Sequence, residues 1–146
     1  MLRKLLVALL LVVLPACAGD GGAVEDEPGP AQTLAPAGPL VVLQRYGGIA
    51  GSSDRVSVDA VGVATVISDR ADNLVTRTLS PTDLAALRSA LRRADIKSLR
   101  RNYLDRQARD AFQYDVTYQG VTVTADEGVI PDKLRPVVDQ LTKLIA

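Results

Sequence analysis

Histidine and tryptophan are absent from the 146-residue chain, and cysteine occurs once. Without an imidazole the chain cannot perform histidine acid–base catalysis, build a Ser-His-Asp triad or offer histidine metal ligands. One cysteine cannot close an internal disulfide. Aromatics are limited to one Phe and four Tyr, little material for a sugar cleft. No glycine-rich phosphate loop followed by lysine is present. Basic and acidic residues balance at 17 each, so no nucleic-acid surface is implied. These absences predict a protein with no catalytic residues, no cofactor and no metal, one that is not an enzyme.

The N-terminus carries the first positive signal. Arg3 and Lys4 precede ten uncharged apolar residues, LLVALLLVVL at 5–14. As a helix these span about 15 Å, half a bilayer core, too short for a permanent membrane span. A basic start, an apolar run and a small residue before a cut are the parts of a secretory signal. Cys17 follows Leu14, Pro15 and Ala16, and LPAC resembles the bacterial lipobox. The resemblance implies that residues 1–17 form a lipoprotein signal and that the Cys17 thiol is acylated. The domain would then be lipid-anchored to the cell membrane and face outside the cytoplasm. Acylation would remove a free thiol from an oxidising compartment, and two acyl chains suffice for stable anchoring. The alternative is an ordinary signal peptide with a coincidental cysteine.

Residues 18–39 read AGDGGAVEDEPGPAQTLAPAGP, with fourteen Ala, Gly or Pro, four acids and no base. Such a segment buries too little apolar surface to offset its ordering entropy. It reads as a disordered tether with a reach of about 25 Å. Residues 40–146 remain for folding, with 15 basic and 13 acidic side chains. They are enough for one domain with one core, expected as a monomer.

Within the domain, LVVLQRY (40–46), RVSVDA (55–60), VGVATVI (61–67) and LVTRTL (74–79) alternate or are β-branched, and predict a four-strand meander. The period then changes. Ser80, Pro81 and Asp83 form a helix-start signature, and Leu84, Leu87 and Leu91 make a core-facing stripe. AFQYDVTYQGVTVTAD (111–126) is a hairpin turning at Gln119 and Gly120. PDKLRPVVDQLTKLIA (131–146) is a second helix, with Pro136 tolerable if the helix starts near Asp132. The order β-β-β-β-α-β-β-α predicts an α+β fold: an antiparallel sheet of about six strands with both helices on one face.

Few residues offer chemistry. Asp110, Asp115, Asp126 and Glu127 surround the hairpin, either as solvated acids or as a carboxylate pair of a small hydrolase. Phe112, Tyr114 and Tyr118 share a strand face, as core filling or as a ligand stack. GGIAG is the unusual stretch: Gly47, Gly48, Ile49, Ala50, Gly51, with Asp54 shortly after. It is either a turn with Ile49 folded inward or a presented binding loop.

RYGGIAG (45–51), with Arg55, Val58 and Asp59 after it, resembles the opening of the emfourin family. So do LSPTDLAALRSALRRAD (79–95), DAFQYDVTYQG (110–120), Asp126 and PDKLRPVVDQL (131–141). The similarity runs from Val41 to Ile145. It implies an inhibitor of protealysin, a thermolysin-like (M4) zinc metalloprotease, and, taken with the export signal of this chain, a secreted or envelope metalloprotease as partner. Without His or a free Cys the domain lacks the strongest zinc ligands, so the resemblance implies steric occlusion of the cleft. The candidate inhibitory residues are Gly47, Gly48, Ile49, Ala50, Gly51 and Asp54, with Ile49 as apolar anchor and Asp54 as a weak zinc contact. The alternative from another class is a non-catalytic envelope lipoprotein that binds a wall component or a partner protein.

Overall fold

Alternating inward valines and outward polar residues build a sheet with one apolar face. The structure, a computed structural model, describes residues 38–145. Cys17, the expected signal segment and the expected tether up to residue 37 lie outside the described residues. The elements are β1 (Val41–Gly47), β2 (Ser52–Val58), β3 (Val63–Ser68), β4 (Ala71–Thr78), α1 (Pro81–Ala94), β5 (Asn102–Tyr103), β6 (Phe112–Tyr118), β7 (Val121–Asp126) and α2 (Arg135–Thr142). They form one seven-stranded sheet in the order β4-β3-β2-β1-β6-β7-β5. The meander occupies one half, and β6 pairs antiparallel with β1, which makes β1 the central strand.

Leu43, Val56, Val58, Val116 and Val123 are fully buried on one sheet face. They share a single core with Leu87 and Leu91 of α1 and with Leu134, Val137 and Leu141 of α2. Burying each such side chain contributes on the order of 1.5–3 kcal/mol before entropy is counted. Every buried core residue lies between Val41 and Leu141. A fragment of residues 40–146 thus retains every strand pairing and the whole buried core cluster found among the described residues. Among the described residues, no helix is long and apolar enough to cross a membrane.

Three details correct the expected architecture. The sheet has seven strands, and it is mixed, because β5 runs parallel to β7. Leaving α1, the chain lies along the open edge of β7, where Thr124 N–H donates to the Arg101 carbonyl at 2.8 Å. Two residues are too few to show an alternation, so this strand carries no periodic signal. Second, β2 starts at Ser52, three residues before the apolar alternation suggested, which brings Asp54 into the sheet. Third, α2 starts at Arg135. Before it, Leu134 and Arg135 N–H groups both donate to the Pro131 carbonyl, at 2.8 and 3.0 Å, in a separate turn. Pro136 falls in the first helical turn, where its missing N–H forfeits no helical bond.

Local signals set the other boundaries. Ser80 Oγ accepts from Asp83 N–H at 3.1 Å, and its hydroxyl donates to the Asp83 carboxylate at 2.6 Å. Ser80→Ala should therefore cost about 1 kcal/mol, seen in thermal unfolding as a Tm lower by roughly 4–8 °C. The hairpin of β6 and β7 turns on Gln119 and Gly120, both at positive φ, 50° and 76°, as a two-residue primed turn requires.

Candidate functional site

The β1–β2 turn projects one large apolar side chain from the sheet end. Gly51 N–H donates to the Gly48 carbonyl at 3.0 Å, closing a four-residue turn with Ile49 and Ala50 at its tip. Ile49 is 91% exposed. It is not folded into the core, and of the two arrangements open to GGIAG the outward one is adopted. The base of the turn is fixed by Gly48 N–H donating to the Ala111 carbonyl at 3.1 Å. Glycine is required at two positions for steric reasons. A Cβ on Gly47 would stand 2.7 Å from the Ala111 carbonyl oxygen, and one on Gly48 would stand 2.9 Å from the Phe112 ring. Both residues also have positive φ, 105° and 69°, a region that side chains disfavour.

Beneath the turn the apolar sheet face gives way to a polar row. Register places Ser68, Asp54, Arg45 and Tyr114 opposite one another on β3, β2, β1 and β6. Arg45 Nε and Nη2 donate to Asp54 Oδ2 at 2.9 and 2.6 Å. The Asp54 side chain is fully buried, and that of Arg45 is 13% exposed. Ser68 Oγ donates to Asp54 Oδ1 at 2.5 Å. Burial alone would raise the Asp54 pKa. Hydrogen bonds from Ser68 and Arg45, with the charges of Arg45 and Arg70, outweigh it and hold the carboxyl below its ordinary range. The Arg45 guanidinium also lies over the Phe112 ring, 4.7 Å from its centroid, a cation–π contact. Tyr114 is buried, and burial, then the charge of Glu127, raises its phenol pKa while Arg45 opposes the shift.

A second clasp holds the adjacent turn. Arg70 Nε and Nη2 donate to the buried Ser52 Oγ at 2.8 and 2.5 Å. Ser53 N–H donates to Asp69 Oδ2 at 2.7 Å, and Asp69 N–H returns to the Ser53 carbonyl at 3.1 Å. The start of β2 is thus pinned to the β3–β4 turn.

Of the six candidate residues, Gly47, Gly48, Ile49, Ala50 and Gly51 are contiguous in this turn. Asp54 is separated from them, and its expected role as a zinc contact is corrected. Its carboxylate is buried beneath the sheet end with both oxygens engaged by Arg45 and Ser68. Arg45, Ser68 and Phe112 were missed as supports. The available signal was strand parity: Arg45 lies two residues after buried Leu43, and Asp54 two before buried Val56.

Of the hairpin acids, Asp115 and Asp126 are diagonal neighbours across the β6–β7 pairing. Asp115 and Asp126 lie on the sheet face opposite the helices. Asp115 accepts from Thr124 Oγ1 at 2.6 Å, and Asp126 accepts from Gln113 Nε2 and Asp105 N–H, each at 2.7 Å. Asp110 is exposed at φ 57°. Glu127 lines a groove of about 530 Å³ with Asp139, Arg135 and Lys143, two acids among two bases. Among the described residues, no three His, Cys, Asp or Glu side chains gather as a metal-holding group. The aromatic trio divides. Tyr114 is in the core, while Phe112 and Tyr118 pack against its margin.

Comparison with known proteins adds one relationship. No curated protein is significantly similar to the chain. The sequence pattern of the Emfourin family matches residues 62–142, more than half of the chain. The match includes β3 through α2 and begins after the Gly47–Gly51 turn, so the turn itself lies outside the matched residues. With its helices, hairpin and most of its sheet inside that match, the chain belongs to the emfourin family.

Proposed function

We propose that the folded domain inhibits a thermolysin-like (M4) metalloprotease by steric occlusion, with the turn of Gly47, Gly48, Ile49, Ala50 and Gly51 entering the cleft. Family membership supports a protealysin-type metalloprotease as partner. The observation that carries the contact is Ile49, 91% exposed at the tip of a turn whose base is fixed by backbone bonds. Exposed apolar anchors on a rigid support are the usual centre of a tight interface. Ile49 fills an apolar subsite, and the glycines let the two backbones approach. With residues 1–17 read as a lipoprotein signal, this activity lies outside the cytoplasm. There the acylated cysteine anchors the domain, and residues 18–39 give it reach.

The test is a titration of residues 40–146 against thermolysin, followed with a peptide substrate. Peptidase activity should fall to a low plateau near one equivalent of domain. Equal activity with and without the domain, for this enzyme and for an M4 protease of the same organism, rejects the reading.

A further inference from the structure

An exposed isoleucine on a projecting turn is what a thermolysin-like protease would be expected to cut, because such enzymes favour an apolar residue just after the scissile bond. To be cut, the backbone must open from the closed turn into an extended segment. Two features oppose that opening. The Gly51 to Gly48 hydrogen bond closes the turn, and the Gly48 to Ala111 bond ties it to β6. A third is built from side chains. The Phe112 ring lies directly against Gly48, with no room for a Cβ between them. The Arg45 guanidinium covers that ring, and buried Asp54 holds Arg45.

We propose that Asp54, Arg45 and Phe112 form a column that locks the turn shut, so that a metalloprotease meets the loop as an inhibitor and does not hydrolyse it. The proposal rests on the reading of this loop as the protease-facing surface. Phe112 and Arg45 are positioning residues, since neither presents itself at the tip. The reaction prevented is addition of water across the Gly48–Ile49 amide, leaving a carboxylate on Gly48 and a free amine on Ile49. Cleavage of a folded protein follows the population of its locally opened form. Weakening the column should raise the rate at this one bond.

The experiment incubates residues 40–146 with thermolysin and follows the fragments by mass spectrometry. Phe112→Leu and Gly48→Ala, which disturb the same contact from its two sides, should be cut between Gly48 and Ile49 at least tenfold faster than wild type. Amide exchange at Val56 and Val116 should stay unchanged in both variants, which separates loop opening from unfolding. The proposal is overturned if wild type is cut at Gly48–Ile49 as fast as Phe112→Leu. It is also overturned if cuts in both variants spread through the strands together with faster core exchange. A wild type that resists cutting at that bond while Phe112→Leu is cut there and thermolysin stays active supports the column and counts against inhibition of thermolysin. A wild type that inhibits while being cut there at the variant's rate supports inhibition and rejects the column.

Discussion

Ile49→Asp should raise the inhibition constant against a susceptible thermolysin-like protease by about 100-fold or more while leaving the melting temperature of the domain unchanged. A central apolar anchor that fills a dry pocket contributes on the order of 2–4 kcal/mol to binding, and a carboxylate in such a pocket adds a desolvation cost. The fold should not register the change. Ile49 is 91% exposed, and surface substitutions of this kind usually stay within about 0.5 kcal/mol of stability. The measurement pairs a tight-binding titration with thermal unfolding. A large fall in Tm would mean that Ile49 supports the core, and unchanged inhibition would move the contact surface elsewhere. Ile49→Val, which keeps a β-branched apolar tip, should lose less than tenfold in affinity.

Asp54→Ala should lower the stability of the domain by about 3–5 kcal/mol, because it strands Arg45 beneath the sheet end without its counter-charge. The loss should appear as a fall of more than about 10 °C in Tm. The same carboxylate makes stability depend on pH. Its folded pKa is held below the ordinary value, so the unfolded chain binds the proton more readily. The contribution of Asp54 is complete above the unfolded aspartate pKa of about 3.9 and is lost as pH falls through the lower folded value. Urea unfolding of wild type between pH 6 and pH 2.5 should therefore show a decline below about pH 4. That decline should be shallower in Asp54→Asn, which keeps the shape and loses the charge. Identical acid limbs in the two proteins would show that the pair contributes no linkage.

The parts of the fold legible in the sequence are those written in local chemistry. Ser80, Pro81 and Asp83 announce α1 because a helix end must satisfy its first N–H groups from nearby side chains. Gln119 and Gly120 announce the hairpin because a two-residue turn demands positive φ at both positions. The apolar alternation of β2 was visible from Val56 onward but concealed the strand's beginning. Asp54 and Ser52 occupy inward positions and are polar, so a hydrophobic criterion stops short of them. β5 could not be seen at all, since two residues hold no period and their parallel pairing with β7 depends on where α1 releases the chain.

The candidate site divides along the same line. Glycine at 47 and 48 was conspicuous in the sequence, and it marked a turn. Neither composition nor spacing could say which way Ile49 points. The direction follows from long-range register: β1 pairs with β6 as well as β2, which places Ala111 and Phe112 against Gly47 and Gly48 and fixes the base of the turn. What the sequence determined by itself is the α+β class, the cap of α1, the hairpin and membership of the emfourin family. All of these rest on signals within a few residues or on their order along the chain. Only the tertiary structure decided that Asp54 is an internal strut and Ile49 an outward tip. A side chain's exposure is set by the strands that flank it, and those come from distant parts of the chain.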